Sequence, residues 1–153
     1  MRSTARPSAR RRFGQHFLEA PWVAKVVTAI AARADDRFIE IGPGRGALTF
    51  ALAERVDRML AVEVDRDLAR DLRGTATKTV DVVEADILEL DLPTLARRIR
   101  RRDSAVRIVG NLPYNVSIAI LLQVLRDAAL AGRACFRAER IRHICDLQSS
   151  VGF

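Results

Sequence analysis

Three short segments of this chain combine residue types that can hold or activate a small molecule. The first is Glu40-x-Gly42-x-Gly44-x-Gly46. Glycines at alternate positions give a tight turn whose backbone can lie directly against a ligand, since a side chain at any of them would block the approach. The spacing differs from the dinucleotide fingerprint GxGxxG, which disfavours a pyrophosphate on the helix N-terminus. A nucleoside without phosphates is the alternative tenant, and S-adenosylmethionine fits that description. The second segment centres on Glu63 and the related Asp86. Glu63 is placed to accept hydrogen bonds from both ribose hydroxyls, and Asp86 could accept from an adenine amino group. Taken singly, each has a plainer reading: an ordinary strand-to-helix turn, a solvated strand-end acid, a helix N-cap. Their order along the chain favours the cofactor reading over all three.

The third segment, Asn111-Leu112-Pro113-Tyr114, suggests a reaction type. An adenine amino group is a poor nucleophile because its lone pair is delocalised into the ring. Acceptors aimed at its two hydrogens favour a pyramidal nitrogen with the lone pair freed. Asn111 can supply a side-chain carbonyl and Leu112 a main-chain carbonyl, while Pro113 stiffens the turn that aims them. Tyr114, the only tyrosine of the chain, offers a face for stacking an extruded base. Methyl transfer from a sulfonium is mainly in-line positioning, so no strong general base is needed. The plainer reading of this segment is a turn that caps a strand.

The elements that must position these residues follow from hydrophobic patterning. Arg37 to Ile41 reads as a buried strand running into the glycine loop, and Ala47 to Val56 as the helix after it. Met59 to Val64 is a second strand ending on acids, followed by a helix from about Asp67 that stops at Gly74. Val80 to Val83 is a third strand, and Pro93 opens a helix whose last turn is rich in arginine, from Arg97 to Arg102. Val106 to Val109 is a fourth strand, with a helix starting near Ser117. Strands alternating with helices imply parallel pairing and an α/β sheet covered on both faces, with ligands at the carboxyl ends of the strands. All three segments fall at such ends.

The chain as a whole sets outer bounds. Its 153 residues, 49% of them hydrophobic, suffice for one domain with a core and not for two. Lys+Arg outnumber Asp+Glu by 26 to 19, for a net charge of +7, and almost all of the excess is arginine. Arginine favours a polyanion such as nucleic acid over a membrane surface, although solvated helix faces in a GC-rich genome explain it equally well. Cys135 and Cys145 form no CxxC pair or disulfide framework, which suits the cytoplasm, and no metal site is expected. No apolar run approaches bilayer length, so no membrane association is expected. The basic start, Met1 to Arg12, also admits a mitochondrial transit peptide as a second reading.

Read together, the motifs resemble those of the ribosomal RNA adenine dimethyltransferases, which modify two adjacent adenines near the 3′ end of small-subunit rRNA. The matching segments are Arg12-Phe13-Gly14-Gln15-His16-Phe17-Leu18, Glu40 to Gly46, Val62-Glu63-Val64-Asp65, Glu84-Ala85-Asp86 and Gly110-Asn111-Leu112-Pro113-Tyr114-Asn115. They come in the family order. The resemblance implies a Rossmann-like S-adenosylmethionine-dependent methyltransferase fold. It also implies cofactor contacts from His16, Leu18, Gly42, Gly44, Glu63, Asp86 and Asn111, and an adenine held at Asn111 to Tyr114. Arg10, Arg11 and Arg12 would engage RNA, with the immature small ribosomal subunit as partner and the protein acting as a monomer.

The pattern lapses from about Arg133, where the sequence does not look like the family's fifth strand. Three units are therefore expected: a basic arm over residues 1–20, the first part of the methyltransferase domain over 21–130, and an atypical tail over 131–153. The fold is expected to be incomplete, with about four parallel strands, as in a truncated or frameshifted product whose fourth strand is an exposed apolar edge. The alternatives are a non-catalytic RNA- or cofactor-binding fragment, using the basic arm and the Arg97 to Arg102 patch, and a nicotinamide-dependent oxidoreductase. The glycine spacing and the Asn-Leu-Pro-Tyr segment disfavour the last.

Overall fold

In the computed structural model, the described residues are 20–101, 106–112, 114–127, 133–138 and 145–148. Strands β1 (Arg37–Ile41), β2 (Arg58–Glu63), β3 (Val80–Glu84), β4 (Val106–Leu112), β5 (Arg133–Ala138) and β6 (Cys145–Gln148) form one sheet in the order β3-β2-β1-β4-β5-β6. The first five are parallel and β6 is antiparallel to β5. The order reverses direction between β1 and β4, and a crevice opens at such a point where the flanking connections leave to opposite faces.

Helices α1 (Ala20–Ile30), α2 (Ala47–Ala53) and α3 (Arg66–Thr75) lie on one face; α4 (Leu92–Ile99) and α5 (Tyr114–Arg126) lie on the other. Strand side chains alternate between faces, and the two cores record this directly. Phe38, Met59, Ala61 and Val109 pack with Val27, Leu52 and Leu72, whereas Ile39, Leu60, Val62 and Ile108 pack with Leu95, Ile99 and Val124. Because both faces are covered, the strands read as continuous apolar runs rather than as alternations. Along α5, Ile118, Leu122 and Leu125 remain exposed.

The Rossmann-like α/β architecture is as expected, and the sheet extends beyond the four strands read from sequence. β5 pairs along β4 from Arg107↔Arg133 to Leu112↔Ala138, so β4 is not an edge. The same pairing explains why β4 continues through Gly110, Asn111 and Leu112, a stretch expected to be a turn. The following helix accordingly begins at Tyr114 rather than near Ser117. α3 runs through Gly74 to Thr75, and α4 ends at Ile99, leaving Arg100 as its C-cap.

Candidate functional site

Register fixes which side chains can meet at the carboxyl end of the sheet. Ile41 pairs with Val62 on one side and with Gly110 on the other. One rung further, Gly42 therefore lies between Glu63 and Asn111, and its amide extends the ladder by donating to the Val62 carbonyl at 2.9 Å. Two strand spacings separate Glu63 and Asn111, about 10 Å between backbones. By alternation both share the face of Ala61 and Val109, which is also the face of Glu40 one side-chain layer below. An acid and an amide thus flank a glycine floor, with a second acid beneath.

The floor is built from conformations that side chains disfavour. Gly42, Gly44 and Gly46 have φ of 66, 58 and 81°, in the left-handed region. A Cβ on Gly42 would meet only Leu112 Cδ2, at 3.8 Å, so the side of the loop facing away from the sheet is open. A Cβ on Gly46 would lie 2.7 Å from Leu72 and 2.8 Å from Phe50, which places this glycine in packing between loop and helix. Gly110, within β4, is restricted by backbone: its Cβ would stand 2.8 Å from the Ile41 carbonyl oxygen.

Glu63 is buried, and both its oxygens are engaged. Oε2 accepts from the Gly44 amide and Oε1 from the Asp65 amide, each at 2.9 Å. The carboxylate therefore braces the glycine loop against the end of β2. A carboxylate oxygen has a second lone-pair direction, so capacity remains for ligand hydroxyls. Asp65 itself caps α3 through the amides of Asp67 and Leu68. Asp86 Oδ1 accepts from the Leu88 amide at 2.9 Å and so caps the 3-10 turn Ile87–Glu89, a turn not expected from the sequence. Its second oxygen has no partner among the described residues.

Glu40 is the charge that sequence reading passed over, naming it only as the start of the glycine motif. It is 2% exposed, and burial pushes its carboxyl from 4.5 up to about 7, with Thr49 opposing the shift and Glu63 adding to it. Glu40 Oε2 and Thr49 Oγ1 nevertheless lack a well-aligned hydrogen-bond partner among the described residues. A buried, unpartnered carboxylate oxygen beneath an open glycine floor suits a ligand that brings positive charge or donors. Phosphate would meet repulsion from Glu63. The donor set thus fits a cationic nucleoside.

Of the residues expected at the site, Gly42, Gly44, Glu63, Asn111 and Leu112 converge on the switch point, and Asp86 stands beyond the end of β3. Asn111 is half-buried, and the Leu112 side chain packs in the core under the glycine floor. Tyr114 is the first residue of α5; its side chain, together with Arg10, Arg11, Arg12, His16, Leu18 and Pro113, lies outside the described residues. Arg97 and Arg98, in the last turn of α4, lead to the opposite end of the sheet, where Arg101 lies 3.8 Å from Asp57. The basic patch and the candidate site are therefore on opposite ends. Among the described residues no group of acids, histidines and cysteines could hold a metal, and no helix is long and apolar enough to cross a membrane.

Residues 6–141 match the family described as ribosomal RNA adenine dimethylase. Among curated relatives, the chain is 42% identical over 133 residues to ribosomal RNA small subunit methyltransferase A of Variovorax paradoxus (strain S110), covering 86% of this chain and 50% of that protein. It is 47% identical over 122 residues to the protein of the same name from Methylibium petroleiphilum, covering 79% and 46%. The chain thus spans about half the length of the curated relatives it matches. A crystal structure of 23S rRNA methyltransferase ErmE is similar with a TM-score of 0.68 and 26% identity, over 82% of this chain and 48% of that one. The fold is also that of an RNA methyltransferase from Salinibacter ruber in complex with S-adenosyl-L-homocysteine, with a TM-score of 0.65 and 16% identity over 83% and 81% of the two chains.

Proposed function

The chain belongs to the ribosomal RNA adenine dimethylase family, and from that premise we propose that it holds S-adenosylmethionine at the carboxyl ends of its strands and serves dimethylation of adenine N6 in small-subunit rRNA. The observation that carries this reading is the rung Glu63, Gly42, Asn111, with the unpartnered Glu40 oxygen beneath it. A cofactor bound there would supply a methyl group on a sulfonium, whose positive charge the two buried acids favour. Glu63 would hold the ribose while bracing Gly44, and Asp86 would accept from the adenine amino group through the oxygen its own turn does not use. His16, Leu18, Gly42, Gly44 and Asn111 would complete the cofactor contacts.

At the other side of the rung, Asn111 and the Leu112 carbonyl would take the two hydrogens of the target amine. Pro113 would stiffen the turn and Tyr114 would stack on the base. Orientation of the nitrogen lone pair along the sulfur–methyl axis then carries the chemistry. Arg10, Arg11 and Arg12 would grip rRNA phosphates, the target being two adjacent adenines near the 3′ end within the immature small subunit. The protein is taken to act in the cytoplasm as a monomer.

Calorimetry on the chain tests the cofactor site: S-adenosylmethionine binds, and Glu63→Ala weakens it at least about 100-fold by removing both a ligand acceptor and the loop brace. Absence of any heat with the wild-type chain would reject the reading. Methyl incorporation into immature small subunits tests turnover. Cofactor binding without incorporation would assign the second reading, a cofactor-binding module that does not catalyse.

A further inference from the structure

α5 carries one polar side chain into the core that the proposed chemistry does not use. Gln123 is 9% exposed, flanked by the buried Val124 and, one turn earlier, by Ile120. Its Nε2 donates to the Ile87 carbonyl at 3.1 Å and to the Leu90 carbonyl at 2.9 Å. Both acceptors are backbone oxygens, so the amide has one workable orientation: nitrogen toward the turn. Its Oε1 is left buried with no partner among the described residues. An apolar side chain of equal size would avoid that penalty, so the amide is explained by what its donors hold.

What they hold is the turn that carries Asp86. The Ile87 and Leu90 carbonyls bracket the 3-10 turn Ile87–Glu89, and that turn's Leu88 amide fixes Asp86 Oδ1. The other end of the strut is equally specific. α5 begins at Tyr114, directly after the Asn111 to Pro113 segment, and Gln123 lies nine residues along it, about 14 Å from the helix start. One side chain therefore ties the helix that extends from the proposed base-holding segment to the turn that presents the proposed adenine-reading acid.

We infer that Gln123 is a positioning residue that sets the reach of Asp86 and thereby the preference for an amino group on the cofactor's purine ring. This rests on the cofactor reading above. Removing the strut leaves Asp86 in place chemically but lets its turn drift, and discrimination between a ring amine and a ring carbonyl is the property most sensitive to such a drift.

The test compares two ligands on the whole chain by calorimetry: S-adenosylhomocysteine and its inosine counterpart, in which an oxo group replaces the amino group. The wild type prefers the amino form. Gln123→Met, which keeps length and removes both donors, narrows that ratio roughly fivefold to tenfold, on the scale of one hydrogen bond. Asp86→Ala narrows it as well, and the double variant narrows it no further than Asp86→Ala alone. Should Gln123→Met fail to fold, Gln123→Asn, which retracts the amide by one methylene, is read in the same way. Equal weakening of both ligands with the ratio intact, or no change in either, overturns the inference. If the wild type binds neither ligand, the cofactor reading itself falls, a result separable from both.

Discussion

The two ends of the sheet differ in whether their buried charge is fully partnered. At the amino end, two buried arginines each meet acceptors through both terminal nitrogens. Arg37 donates from Nη1 to the carbonyls of Ala34, Asp35 and Asp36 and reaches Asp57 with Nη2. Arg107 pairs with Asp36 at 2.7 Å, donates to the Ile30 carbonyl, and stacks 5.0 Å from the Phe38 ring centre. These contacts fasten the segment between α1 and β1 to the bottom of β4. At the carboxyl end Glu63 is engaged through both oxygens, but Glu40 beneath it is buried with an oxygen unpartnered among the described residues. Buried charge with every partner in place locks a chain segment, whereas buried charge short of partners is tolerated where something else arrives to complete it. The contrast is one that a stabilising amino end and the proposed binding at the carboxyl end would produce, and it rests on chemistry independent of any relative.

The contrast can be broken most decisively at Arg107. Arg107→Met leaves Asp36 without its cation, held among the described residues only by the Arg33 amide, and removes the donor to the Ile30 carbonyl; the expected loss is about 3–5 kcal/mol, seen as a fall of roughly 10 °C or more in Tm. A drop of a degree or two would mean that the amino end is no lock.

A slightly smaller effect is expected at Glu40, and it depends on pH. The folded chain keeps the Glu40 proton up to about 7, against 4.5 for the ordinary carboxyl. Its contribution is therefore fully present below 4.5 and is lost as pH rises through 7, amounting to about 3 kcal/mol. Glu40→Gln lacks this dependence and should gain on the wild type by that order between pH 5 and pH 8 in urea unfolding. Parallel pH profiles for the two proteins would remove the distinction between the ends.

The smallest effect sharpens the comparison by separating burial from mere charge. Arg58 and Asp81, about half exposed, form a 2.5 Å pair near the amino end. Arg58→Ala should shift stability by less than about 1 kcal/mol, because solvent screens such pairs. A loss as large as that of Arg107→Met would show that pairing itself, rather than burial, fastens this end.

Much of this arrangement was legible in the residues, and the illegible part has a common cause. The glycine loop, Glu63, Asp86 and Asn111 announce themselves because special backbone angles and strand-end acids leave local marks in sequence. The extent of β4 does not, since Gly110 to Leu112 are held extended by pairing with β5, a partner more than twenty residues later. Without that partner Gly-Asn-Leu-Pro reads as a turn. Glu40 escaped notice for a similar reason: it is a buried acid only in the folded sheet, with Thr49 of α2 beside it. Gln123 sits in an apolar helix with nothing local to mark it, and its meaning depends on a turn 36 residues earlier.

The shared rung has a consequence for how this protein can change over time. Strand side chains alternate, so the face on which Asn111 emerges is decided by whether an even or an odd number of residues separates it from Val109. A one-residue insertion or deletion inside β4 would leave a strand of similar length and greasiness in the same sheet. Either would turn Asn111 toward α4 and α5; a deletion would bring Leu112 up beside Glu63, and an insertion would bring Gly110 there. Substitutions along β4 can accumulate gradually, but a change in its length by one residue acts as a parity error, exchanging the polar wall of the site for an apolar one in a single step.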